Sequence, residues 1–182
     1  MNSLTLPIEN RDHMRGSANP RVVLLEYGDY ECPYCGRAYV ILKRIEREMA
    51  DELLFAFRNF PLTQSHPHAF HAACAAEAAA LQGKFWQMHD MLFEHQATLD
   101  DAHLIAFATL LDLDDDQFVA DMASNAVQER VREDFMSGVR SGVNGTPTFF
   151  INGNRYDGSF EHDFLLAVLE QSRRVTVSTT SG

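Results

Sequence analysis

Two cysteines three residues apart, Cys32 and Cys35, enclose Pro33 and Tyr34. Disulfide exchange needs an exposed thiolate as nucleophile and a second thiol near enough to resolve the mixed disulfide, and this spacing can supply both. The residues around the pair place it. Val22 to Tyr27 (VVLLEY) is a short apolar, β-branched run of the kind that forms a buried strand. Gly28-Asp29-Tyr30-Glu31 follows, and beyond Cys35 the apolar residues Leu42, Ile45 and Met49 recur at helical spacing, with Lys43, Arg44, Glu46 and Arg47 on the outer face. Cys32 therefore falls at a helix start, where unpaired backbone N–H groups favour a negative charge. Pro33 suits the first turn, where its missing N–H costs nothing. Cys32 is read as the nucleophile and Cys35, on the same side but deeper, as the resolving thiol.

A zinc site competes for the same motif, since Cys74 with His66, His68 and His71 could complete four ligands. Against it, His66-Pro67-His68 lacks a two-ligand helical spacing and there is no second CxxC. Cys74 lies in an alanine-rich helical stretch, His71 to Leu81, and reads as a buried structural thiol. Further along, Gly145-Thr146-Pro147-Thr148 stands directly before an apolar strand, where a proline cannot donate to the sheet. It is either a plain turn or a loop facing the dithiol that leaves the Thr146 backbone free to pair with an extended substrate.

The elements that must carry these residues are legible at coarse grain. Leu53 to Phe60 reads as a second strand, and residues 66–142 are helical throughout, with apolar faces at Phe85/Met88/Leu92, Leu104/Phe107/Leu111 and Val127/Val131/Phe135/Val139. Thr148 to Ile151, Asn152-Gly153 and Asn154 to Tyr156 form a hairpin signal. A last helix follows, which Ser159 can cap, with Phe160, Phe164, Val168 and Gln171 in register and Leu165 and Leu169 beside them. The expected architecture is α/β: a βαβ unit, a large all-helical insertion, then ββα. Residues 1–20 form an N-terminal extension, 21–65 and 143–172 the core, 66–142 the insertion, and 173–182 a frayed tail. The formal charge of −11 argues against nucleic acid and anionic membrane as main partners. No stretch is long and apolar enough to span a bilayer, and residues 1–16 show no export signal, so a cytoplasmic location is expected.

The ordered motifs EYGDYECPYC, FRNFPL, HPHAFHAA, GKFWQMHD and GTPTFFING resemble the DsbA-like branch of the thioredoxin superfamily from roughly Arg21 to Gln171. The resemblance implies a cis Thr146–Pro147 bond and two-electron exchange with cysteine-containing protein or peptide substrates. It also implies a substrate groove beside Cys32, with Pro33, Tyr34, Thr146 and Pro147 as substrate-binding residues. Glu26 occupies the family's position for a buried acid under the dithiol. As proton acceptor for Cys35 it would have its pKa raised by burial. No cofactor is implied beyond a cellular thiol pool or a redox partner protein, and no metal. The Pro-Tyr dipeptide, typical of glutaredoxins, and the absent export signal point to an intermediate potential and away from a dedicated oxidant. Asp29, Tyr30, Glu31 and Tyr34 are expected to shape the rim, their acids opposing the thiolate. Arg58 reads as a surface charge after a strand, or as a cation near the site that would favour a thiolate, Trp86 and Met88 as core, and His89 and His95 as having no catalytic role. Two rival functions stand beside this one: glutathione-linked deglutathionylation, suggested by CPYC, and a non-catalytic peptide- or metal-binding module.

Overall fold

Strand β2 (Val22–Gly28) is the centre of the molecule, and its sequence explains why. It pairs on both edges and is covered on both faces, so it is apolar almost without alternation. The computed structural model describes residues 3–173. In chain order these run β1 (His13–Gly16), β2, α1 (Pro33–Glu48), β3 (Leu53–Asn59), α2 (Ala69–Leu81), α3 (Phe85–Glu94), α4 (Asp101–Leu110), α5 (Asp115–Ala123), α6 (Asn125–Arg140), β4 (Thr148–Ile151), β5 (Asn154–Tyr156) and α7 (His162–Gln171). The sheet order is β1-β3-β2-β4-β5. β2 and β3 are parallel, from Val22 opposite Leu53 to Gly28 opposite Asn59, and β4 runs antiparallel to β2 with Tyr27 opposite Thr148. This is a thioredoxin-fold sheet with helices α2 to α6 inserted between its two halves.

The two faces of the sheet have separate cores. Val22, Leu24, Phe55 and Phe57 join the large cluster made with α1, α3 and α7, while Leu25, Tyr27, Ala56 and Phe150 pack with Phe60, Phe135 and the N-terminal Leu4 and Ile8. α2 is buried on every side, with nine of its thirteen residues covered, and its alanines let neighbouring helices approach closely. α6 reaches the second face at Gly138, where an added Cβ would stand 2.7 Å from the Phe60 ring and 3.1 Å from Tyr27. Alongside, the Tyr27 hydroxyl and Ser137 Oγ are 2.8 Å apart. Asp100, Ser124 and Asp114 cap α4, α6 and α5 through their side chains.

Several expectations need correction. The supposed N-terminal extension contains β1, an edge strand antiparallel to β3 with His13 opposite Phe57 and Gly16 opposite Leu54. Its short polar sequence HMRG carries no alternation; Arg15 instead lays its guanidinium 4.2 Å from the Trp86 ring centre while pairing with Glu46 at 2.6 Å. Arg58 is no surface charge. It is fully buried inside β3, paired with Asp12 at 2.7 Å and donating to Tyr27 Oη and the carbonyls of Leu6 and Pro7. The last helix begins later than Ser159 suggests, with Glu161 as N-cap, and it buries Leu165 and Leu169 while Phe164 is exposed. The hairpin signal holds, since Asn152 and Gly153 both take positive φ (50° and 82°), as the tight turn requires. Except for Arg173, the expected tail lies outside the described residues.

Candidate active site

Cys32 is the N-cap of α1, with Pro33 at the first helical position. No side chain caps this helix and no acidic residue occupies its first turn, so the free N–H groups of Tyr34 and Cys35 are available to the sulfur. The Cys32 thiol is pushed down to about 5. The hydrogen bond from the Cys35 thiol contributes most. Burial opposes the shift, and Thr146 and the first-turn N–H groups add to it. The loop before β4 provides the facing wall: Cys32 Sγ lies 3.4 Å from the Thr146 carbonyl oxygen, and the Thr146–Pro147 peptide is cis. The buried Thr146 hydroxyl has no other protein partner among the described residues and is free to turn toward a thiolate.

Cys35 behaves oppositely. It is fully buried, and burial, the hydrogen bond to Cys32 and the nearby Glu26 charge hold its pKa well above the ordinary thiol range. Cys32 keeps 3% of its surface exposed and Cys35 none, which decides which sulfur a substrate can reach. Both are free thiols. Glu26 does not reach water: it is 2% exposed, and among the described residues its Oε1 has no hydrogen-bond partner. Burial first, then the Cys32 and Glu46 charges, push it up to about 8, against the pull of Arg15.

The residues expected at the rim divide. Tyr34 is exposed, but Tyr30 is buried with its hydroxyl 3.1 Å from His89 Nδ1, inside an aromatic cluster with Phe57 and Phe93. Asp29 turns inward. Its carboxylate accepts the N–H groups of Glu31 and Leu62, each at 2.8 Å, and lies 2.8 Å from His66 Nδ1. His89 is buried, which lowers its pKa, so it is a neutral packing partner of Tyr30. Sequence reading also passed over Gln96, whose amide donates to the carbonyls of Tyr30 (2.7 Å) and Cys32 (2.9 Å) and ties the insertion to the redox turn. A lone glutamine after a helix carries no sequence signal for such a role.

The would-be zinc ligands are dispersed. His66 faces Asp29, His71 pairs with Asp101, and Cys74 is sealed among Ala73, Val127 and Val131, where burial pushes its thiol up to about 12. Among the described residues no group of three or more His, Cys, Asp or Glu side chains is placed to hold a metal ion, nor is any helix long and apolar enough to cross a membrane.

Residues 9–171 match the family described as thioredoxin. Among curated proteins, one named Na(+)/H(+) antiporter NhaA 1 from Mycobacterium sp. (strain KMS) is 42% identical over 174 residues, which is 94% of this chain and 28% of that protein. The Na(+)/H(+) antiporter NhaA of Herminiimonas arsenicoxydans is 44% identical over 165 residues, 91% of this chain and 26% of that one. The chain thus spans about a quarter of the length of these relatives. Among solved structures, a thioredoxin-like oxidoreductase from Silicibacter pomeroyi DSS-3 superposes with a TM-score of 0.80 at 24% identity, covering 90% of this chain and 93% of that one. BdbD from Bacillus subtilis gives 0.78 at 21% identity, covering 88% and 92%, and Wolbachia pipientis alpha-DsbA1 gives 0.80 at 20%, covering 92% and 93%.

Proposed function

The chain belongs to the thioredoxin family, and on that premise we propose that it is a DsbA-like protein thiol–disulfide oxidoreductase working through Cys32 and Cys35. One observation carries this reading: two thiols three residues apart whose acidities are driven in opposite directions, Cys32 down and Cys35 up. Such a pair separates the roles of nucleophile and resolver. In the reducing direction the Cys32 thiolate attacks a substrate disulfide and releases one substrate thiolate. Cys35 then gives its proton to the ionised form of Glu26 and attacks Cys32 Sγ, releasing the second substrate thiolate and closing the Cys32–Cys35 bond. In the oxidising direction the same steps run backwards. Glu26, poised near neutrality, is suited to both proton movements. Pro33, Tyr34, Thr146 and Pro147 frame the approach to Cys32, where an extended cysteine-containing peptide would lie. A thiol pool or redox partner protein would reset the pair. The antiporter name belongs to chains of which this one matches about a quarter, and the activity proposed here rests on the dithiol.

A Cys32 pKa of about 5 falls between those of thioredoxin (about 7) and DsbA (about 3.5). The equilibrium potential is therefore expected between about −270 and −120 mV, read by thiol trapping across graded glutathione buffers. Cys32→Ser should abolish exchange with a disulfide-bonded protein substrate. Full activity in that variant would overturn the proposal.

A further inference from the structure

Asp29 is the hinge of an arrangement that the dithiol chemistry above leaves unused. Its carboxylate is buried and lies 2.8 Å from Nδ1 of His66, in the loop between β3 and α2. Its backbone touches both sulfur-bearing residues: the carbonyl accepts the N–H of Cys32 at 3.1 Å, and the Asp29 N–H points at Cys35 Sγ at 3.5 Å. The His66 loop is fastened twice more, by the Leu62 N–H on Asp29 and by the His68 N–H donating to Glu31 Oε2 at 2.7 Å. The ring keeps 18% of its surface exposed, so protons can reach it from solvent.

We propose that His66 is a positioning residue of the redox centre: held by Asp29, it takes up a proton when the Cys32–Cys35 disulfide is reduced, and its positive charge then holds Cys32 as a thiolate. This rests on the oxidoreductase reading and names the group that balances its protons. Two substrate thiols reducing the enzyme disulfide give a substrate disulfide, the Cys35 thiol, the Cys32 thiolate and one proton, and His66 binds that proton. The enzyme disulfide gains two electrons, and the two substrate sulfurs lose two.

The surroundings favour this. Among the described residues, the charges that act most on His66 are Asp29 and Glu31 from the β2–α1 turn and Cys32 from the start of α1. Burial alone would lower the imidazole pKa, but the Asp29 hydrogen bond and charge, then Cys32 and Glu31, raise it above the ordinary histidine value. Without an imidazolium, two carboxylates would stand beside a thiolate and oppose it. With it, the Asp29 charge is offset, leaving Cys32 to the helix start. Reciprocity then requires that reduction raise the His66 pKa by as much as His66 protonation lowers that of Cys32.

The test is an NMR titration of the His66 ring in the reduced protein, in the oxidised protein and in Cys32→Ser, none of which needs a substrate. The midpoint should be higher in the reduced wild type than in the other two, by about 0.5–1 unit. In His66→Gln, whose amide can still reach Asp29, the Cys32 midpoint read by thiolate absorbance should rise by a similar amount and the potential should become more negative. Equal His66 midpoints in all three proteins, or an unmoved Cys32 midpoint in folded His66→Gln, would overturn the inference. An active enzyme with an uncoupled His66 defeats this proposal alone, whereas a coupled His66 in a protein without exchange activity defeats the oxidoreductase reading alone.

Discussion

Glu26 shows how far one buried side chain can carry a function and what it costs the fold. Its pKa rises on folding from the ordinary glutamate range to about 8, so between those values the native state holds a proton that the unfolded chain has released. Stability therefore falls as pH climbs from about 4.5 through about 8. Glu26→Gln should remove this dependence. Urea unfolding should show the variant close to wild type in acid and more stable by at most about 5 kcal/mol above pH 8, while resolution of mixed disulfides by Cys35 slows. A variant destabilised at alkaline pH would refute the buried-acid account. At this scale much was visible in the sequence. The CxxC after a buried strand singled out both thiols, and the family resemblance singled out Glu26. Asp29 and His66 were hidden because what defines them is a contact between segments 37 residues apart, and no local pattern records that.

At the scale of elements, β1 and β3 are held by a buried ion pair. Arg58 has no exposed surface, and besides Asp12 it satisfies two carbonyls of the N-terminal segment, those of Leu6 and Pro7. Removing one member of a buried pair leaves the other charge uncompensated, which typically costs about 3–5 kcal/mol. Arg58→Met should destabilise the protein by that order in urea and open residues 3–12 to protease while leaving the Cys32 pKa near 5. A loss under about 1 kcal/mol would mean that the pair is dispensable. The charge misled the sequence reading for a physical reason. An arginine at the end of an apolar run normally points to water, and its partner Asp12 stands in a segment whose composition resembles a tail. The helical insertion was read with better success because α3, α4 and α6 repeat their apolar residues at helical spacing. For α7 the apolar pattern left Phe164 and Leu165 side by side as candidates, since both are strongly apolar, and only packing chooses Leu165.

On the scale of the whole molecule, α6 joins the insertion to the sheet and leads directly into the loop that faces Cys32. Gly138 permits that contact. The Phe60 ring it approaches is stacked on Phe135 at 4.4 Å and edge-on to Tyr27, so it has little room to retreat. Alanine is the better helix former by about 1 kcal/mol, yet Gly138→Ala should lower stability by about 1–3 kcal/mol, seen as a lower Tm. It should also raise the Cys32 pKa by displacing Thr146. An unchanged Tm would show that the ring yields. The contact between Cys32 and Thr146 joins positions 114 residues apart, with the entire insertion threaded between them, and this bears on timing. A growing chain emerges from synthesis with two ordinary thiols, and Cys32 acquires its full acidity only once the segment carrying Thr146 has followed the whole insertion. Reactivity thus arrives with the folding of both halves of the sheet, and a copy halted or misfolded before that point lacks part of the chemical means to trap its neighbours in disulfides.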